Sequence, residues 1–290
     1  MNDTASDSST RRLGRIGLIG AGRLGQTMAV AWAQAGFQVT AACSRRESSA
    51  QALAHRVSLV ASKPTVVQNA QALVDSCDTV FITVQDDQIA AVAQSVQWRG
   101  HQVVAHCSGA TELTALASAA QAGAKVAGFH PLHTFGDVET AVEAADESVR
   151  VALFDLAHRI HARPFELPPG SRALYHASAH YAGALVVTMM DEAVRHWARF
   201  GVGADQALAA LLPLLRSTVR AMESRGLGPG MAGVAARGDA GTLSAHLEAL
   251  AQTGDAQRHL YAELTQRSVR LALESGRITE QQAQVMSQLL

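Results

Sequence analysis

Aromatic residues, cysteines, surplus charge and long apolar runs are all scarce in this chain. Aromatics make up only 4% of it. Base-stacking surfaces need several aromatic platforms, so no nucleic-acid partner is expected. Neither charge sign dominates, since 24 basic residues face 25 acidic ones, and a polyanion binder would need a basic field. The three cysteines, Cys43, Cys77 and Cys107, are far apart and form no C-x-x-C. That excludes a disulfide framework and suits a reducing, cytoplasmic setting. The longest apolar run, Tyr181 to Met190, is too short to span a bilayer, so no membrane partner is expected.

What is present points to two domains. Hydrophobic residues reach 48% in 290 residues, enough for a sizeable core. Residues 1–14 are polar and rich in Ser, Thr and Asp, and read as a disordered tail. Residues 15–167 alternate β-rich and helical runs, as a doubly wound, mostly parallel α/β Rossmann sheet does. Among the expected elements are a strand over Thr79–Val84 and a helix over Ile89–Val96, the helix capped by Asp86 or Asp87. Thr111 is expected to open another helix. Pro168-Pro169-Gly170-Ser171 is the best linker. Residues 172–290 then read as an all-helical domain for dimerisation and substrate. It would open with one helix from Arg172 to Phe200 and carry Pro213 as a kink in a later one. Tyr181 to Met190 is apolar almost all round, which predicts burial on every side and a second subunit as cover.

The organising stretch lies near the start. An apolar run with Ile16, Leu18 and Ile19 leads into Gly20, Ala21, Gly22, Arg23, Leu24 and Gly25, which spell G-x-G-x-x-G before a helical run. Gly20 allows the tight turn, Gly22 lets backbone approach a pyrophosphate, and Gly25 lets helix pack on strand. At the end of the second strand, where NAD sites carry an acid, stand Ser44, Arg45 and Arg46. Hydroxyl and guanidinium groups suit a 2′-phosphate, so the expected cofactor is NADP. Val84 and Gln85 stand at the carboxyl end of another strand and are placed to line the cofactor.

Two further strand ends carry chemistry. His106-Cys107-Ser108-Gly109 and His130-Pro131-Leu132-His133-Thr134 would share the rim of the glycine turn. His106 is placed against the cofactor, Ser108 as a catalytic residue that anchors the substrate or handles the proton, Gly109 against substrate, and His130 as a proton donor. Thr134 is a candidate substrate contact. His176 and His180 share a helix face; the first is a candidate acid and the second a substrate contact. Arg237, between glycines in an otherwise helical region, could bind a substrate carboxylate. The same histidines serve as well as backbone-bonded loop residues, and the Gly230–Asp239 stretch as a plain connector. No spacing here forms a metal set.

These motifs together resemble one family. The Gly20–Gly25 turn, Cys107-Ser108-Gly109-Ala110, His130-Pro131-Leu132-His133-Thr134-Phe135 and Arg237-Gly238-Asp239 with His246-Leu247 look like proteins that join a Rossmann-like domain to a C-terminal domain of unknown function. That group is described as NADP oxidoreductases of the deazaflavin-dependent type. It is similar in architecture to pyrroline-5-carboxylate reductase and, more distantly, to ketopantoate reductase and 6-phosphogluconate dehydrogenase. The resemblance covers Arg15 to about Leu273. It implies a nicotinamide domain, a dimerising helical domain and a small-molecule substrate. Three departures stand out. Gln85 replaces a usual Pro, Met231-Ala232-Gly233-Val234 replaces Leu-Thr-Gly-Pro, and Ala184 stands where Asn is common. The expected activity is hydride transfer between NADP(H) and a small carbonyl or imine, carboxylate-bearing. A dinucleotide-binding sensor or scaffold without turnover is the alternative that the departures favour.

Overall fold

The computed structural model describes residues 13–133 and 138–290. Thr134 and residues 1–12 of the expected 1–14 tail lie outside the described residues, whereas Leu13 is buried. Two compact units divide the chain between His180 and Tyr181.

The first unit is built on an eight-stranded sheet in the order β3-β2-β1-β4-β5-β6-β7-β8. The strands are β1 (Arg15–Ile19), β2 (Gln38–Cys43), β3 (Val66–Val67), β4 (Thr79–Ile82), β5 (Val103–His106), β6 (Lys125–Pro131), β7 (Glu139–Ala144) and β8 (Arg163–Glu166). All neighbours run parallel except β6 and β7. Strands buried on both faces read as continuous apolar runs, as in Thr79-Val80-Phe81-Ile82. The helices are α1 (Arg23–Gln34), α2 (Glu47–Ser58), α3 (Ala70–Ser76), α4 (Ile89–Gln94), α5 (Ala117–Gln121), α6 (Glu147–Arg159) and α7 (Arg172–Ala182).

Side chains alternate between two cores. One face buries Leu18, Trp32, Phe81 and Phe129, with the Trp32 and Phe81 rings 4.3 Å apart. The other buries Ile19, Val80, Ile82, Val104 and Leu116. Leu13 is fully buried, and its carbonyl accepts from Thr79 Oγ1 at 2.7 Å.

Several local expectations shift. The fourth strand ends at Ile82, and Asp86–Gln88 forms a 3-10 turn whose flanking residue is Gln85. No side chain caps that turn or α4, so Asp86 and Asp87 are not the expected caps. Thr111 opens no helix; a 3-10 turn begins at Leu113. The helix expected from Arg172 to Phe200 is interrupted at Gly183, whose φ of −107° and ψ of −95° leave the helical region.

The second unit is helical: α8 (Ala184–Trp197), α9 (Ala204–Arg225), α10 (Leu227–Gly230), α11 (Val234–Arg237), α12 (Ala240–Ala251), α13 (Asp255–Glu274) and α14 (Glu280–Leu289). Pro213 sits inside α9, whose helix continues on both sides. Leu243, Leu247, Val269, Ala272 and Met286 form its core. The apolar stretch Tyr181–Met190 is not buried in the single chain. Helix α8 has no buried residue, and Val187 is 70% exposed. No helix among the described residues is long and apolar enough to cross a membrane.

Candidate active site

The glycine turn joins β1 to α1. Gly20 adopts φ +116°, and a Cβ there would lie 2.6 Å from the Thr83 carbonyl. A Cβ on Gly25 would lie 2.6 Å from the Gly20 carbonyl oxygen. Both positions are closed by backbone. Gly22 differs, because a Cβ there would meet nothing within 4 Å. The open side of the turn is therefore at Gly22, the residue preceding α1. The first turn of α1 has no side-chain cap and no acid, the condition under which helix N-terminal N–H groups can receive an anion. Thr83 Oγ1 donates to the Gly20 carbonyl at 2.7 Å and fixes the turn from β4.

The rim of this turn is cationic. Arg23, Arg45 and Arg46 are exposed, and none of their guanidinium groups has a hydrogen-bond or ion-pair partner among the described residues. Ser44 beside them is half-buried. Glu47, the nearest acid, accepts from Gln51 within α2. Val84 is half-buried and Gln85 exposed, just past β4. These groups fit a pyrophosphate on the turn and a further phosphate on the arginines.

A second cluster forms where β5 and β6 end, on the same carboxyl edge of the parallel sheet. A Cβ on Gly109 would lie 2.8 Å from His130 Cε1 and 2.9 Å from His176 Cδ2. Only glycine lets the loop pass beneath both rings. The His130 and His176 rings are 6.2 Å apart. His130 Nδ1 and the Tyr175 hydroxyl share a hydrogen bond of 2.8 Å. Burial, then the nearby His176 and Arg172, push the His130 pKa down to about 4, while Asp86 opposes them. Burial raises the Tyr175 phenol above its ordinary value. His176 and His180 are both exposed on α7.

Ser108 is placed differently from a free substrate anchor. Its hydroxyl donates to Thr111 Oγ1 at 2.9 Å and accepts from the Ala110 and Thr111 N–H groups. It shapes the loop that presents Gly109. His106 is fully buried, and its Nδ1 accepts from the Ser108 N–H at 3.2 Å. Burial first, then Arg172 and His130, lower its pKa to about 3. Arg237 belongs to the second unit, where it ends α11.

Beneath this cluster lies a pair that sequence reasoning missed. Arg172, the first residue of α7, is fully buried, and its Nε meets Glu143 Oε2 at 2.6 Å. Its Nη1 donates to the Ser108 carbonyl at 2.7 Å. The guanidinium lies over Gly128, where a Cβ would overlap it. His106, Gly128 and Glu143 are cross-strand neighbours on β5, β6 and β7. Glu112 accepts from the backbone N–H groups of Gly170 and Arg172 at the start of α7. A glycine inside a β-strand marks a close approach, and Gly128 was the one available signal.

Comparisons with known proteins follow the same division. Residues 15–109 match the family model described as NADP oxidoreductase, coenzyme F420-dependent. Residues 138–268 match a domain of unknown function (DUF2520). No curated protein matches the chain. Solved structures match along most of its length. A candidate NADP oxidoreductase from Bacteroides fragilis is 21% identical with a TM-score of 0.68, covering 89% of this chain and 99% of its own. A reductive aminase from Aspergillus terreus, solved with NADPH and ethyl levulinate, is 14% identical with a TM-score of 0.62, covering 94% and 98%. A pyrroline-5-carboxylate reductase from Coxiella burnetii is 12% identical with a TM-score of 0.57, covering 91% and 98%.

Proposed function

We propose, from the premise that this chain joins an NADP oxidoreductase segment to a domain of unknown function, that it moves hydride between NADP(H) and a small carbonyl or imine. The observation that carries this reading is the meeting of Gly109, His130, Tyr175 and His176 on the sheet edge where the glycine turn also lies. Ligands of open α/β sheets bind outside the carboxyl ends of the strands.

The turn at Gly20–Gly25 holds the pyrophosphate, and Ser44, Arg45 and Arg46 hold the 2′-phosphate. When bound there, the nicotinamide supplies or takes up the hydride. The chain's own residues handle the proton. With a pKa near 4, His130 is neutral at pH 7 and is a poor proton reserve. In the tautomer in which Tyr175 donates to its Nδ1, the hydrogen stands on Nε2. That N–H holds the substrate oxygen or nitrogen. His176, exposed beside it, gives the proton to the same atom and recovers it from solvent. The donor role thus passes from His130, the first sequence candidate, to His176. Ser108 keeps the loop in shape.

Replacing Arg45 and Arg46 with Ala should weaken NADPH by about 1.5–3 kcal/mol for each charged hydrogen bond lost and leave NADH nearly unchanged. Equal loss for both cofactors would refute the 2′-phosphate assignment. Turnover is tested by NADPH consumption with small ketones and 2-oxo acids, with and without an amine. Tight NADPH binding with no turnover across that panel would favour a sensor. The second unit pairs with a second copy, because Val187, Phe200 and Leu214 are each at least 64% exposed. Light scattering that gives a monomer at micromolar concentration would refute that pairing.

A further inference from the structure

We propose that the second unit contains a binding site for a small carboxylate, complete within that unit. The site is a cavity of about 480 Å3 lined in part by Arg237, Thr242, His246, Tyr261, Thr265 and Ser268. Its size suits a small molecule. That the carboxylate belongs to the hydride acceptor rests on the proposed function; the site itself does not.

Charge selects the ligand class. Arg237 is the one fixed charge on the wall, and no acid lines it. It is exposed, and its guanidinium makes no hydrogen bond among the described residues. The neighbouring acid, Asp239, stands in the field of Arg237 and His246, but its hydrogen bonds go to Thr242. Its Oδ1 accepts from the Thr242 N–H at 3.0 Å and its Oδ2 from Thr242 Oγ1 at 2.7 Å, capping α12. One guanidinium fork matches one carboxylate bidentately, in charge and in shape.

The rest of the wall supplies direction. His246 Nδ1 and the Tyr261 hydroxyl share a hydrogen bond of 2.7 Å. When the phenol donates to Nδ1, Nε2–H becomes a second donor. Ser268 Oγ already donates to the Leu264 carbonyl, so it offers only an acceptor.

The glycines of this stretch sort themselves by the same geometry. A Cβ on Gly230 would lie 2.7 Å from the Ala221 carbonyl oxygen, and one on Gly238 would lie 2.6 Å from Gln282 Nε2. Packing therefore accounts for both. Gly233 has φ +99° and open space where its Cβ would stand, and it lines the cavity. It leaves bare backbone beside the space where the ligand would lie.

The test is an NMR titration of the full-length, 15N-labelled protein with acetate, pyruvate, 2-oxoglutarate and levulinate. Ethyl levulinate and inorganic phosphate are the matched probes without a free carboxylate. At least one carboxylate should shift the Gly233 and Gly238 amides saturably. Arg237→Gln should weaken it about tenfold or more, and Arg237→Lys less. The proposal is overturned if none of the four carboxylates gives saturable shifts. It is also overturned if the ester or phosphate binds as tightly, or if Arg237→Gln changes nothing. NADPH affinity is measured separately by fluorescence. Its absence would sink the oxidoreductase reading and leave carboxylate capture standing, so the two failures are distinguishable.

Discussion

Replacing Arg172 with Leu would strip the Glu143 carboxylate of its partner inside the first unit. The Arg172 side chain is fully buried and that of Glu143 is 6% exposed, so water cannot take over. The same change leaves the Ser108 carbonyl without its Nη1 donor. Breaking a buried pair in this one-sided way costs about 3–5 kcal/mol, because a charge is left in low dielectric. Against a typical total stability of about 5–15 kcal/mol, that loss is large. Replacing both partners with Leu removes the stranded charge. The double variant should therefore recover most of the loss and retain about 1 kcal/mol of it, from the unpaired carbonyl. Urea unfolding reports this directly through Trp32 and Trp98, with Trp197 replaced by Phe so that only the first unit is read. The reasoning fails if the single variant costs under about 1 kcal/mol, or if the double variant costs at least as much as the single.

Gly128→Ala should reproduce much of that loss, since a methyl there overlaps the guanidinium; unchanged unfolding in urea would refute the placement. Gly22→Ala should fold normally yet lose NADPH affinity, whereas Gly25→Ala should lose stability as well; equal unfolding midpoints for the two would contradict the geometry. His106 and His130 have folded pKa values of about 3 and about 4, below the ordinary value of 6.5. Their stabilisation is full above pH 6.5 and declines as pH falls toward 4. The slope is at most about 1.4 kcal/mol per pH unit for each ring. A melting temperature flat between pH 6.5 and 5, above the range of the depressed carboxylates, would refute this.

Much of the fold is legible locally. The glycine turn is written within one strand–turn–helix, while Gly20 is closed by the distant backbone at Thr83, just past β4, and Gly25 by the Gly20 carbonyl. Apolar runs such as Val80-Phe81-Ile82 announce strands covered on both faces. The break at Gly183 was less legible, because a single glycine costs a helix only about 1 kcal/mol and its surroundings decide the outcome. The engagement of the Ser108 hydroxyl has a local cause. A serine followed by Thr111 can satisfy its own loop, and the nearby glycine looked like an opening for substrate. The Arg172–Glu143 pair has no signature in the sequence beyond Gly128 inside β6. It depends on the β6–β7 register, which brings Glu143 beside Gly128, and on α7 starting where Glu112 can meet its first N–H. That pair ties the Ser108 carbonyl to the base of the helix that carries Tyr175 and His176. The cluster's geometry is therefore set by a charge pair distant in sequence, while its chemistry is set by side chains at the strand ends. Substitutions at Glu143 should accordingly disturb His130 and His176 together, and substitutions at Tyr175 should disturb His130 alone.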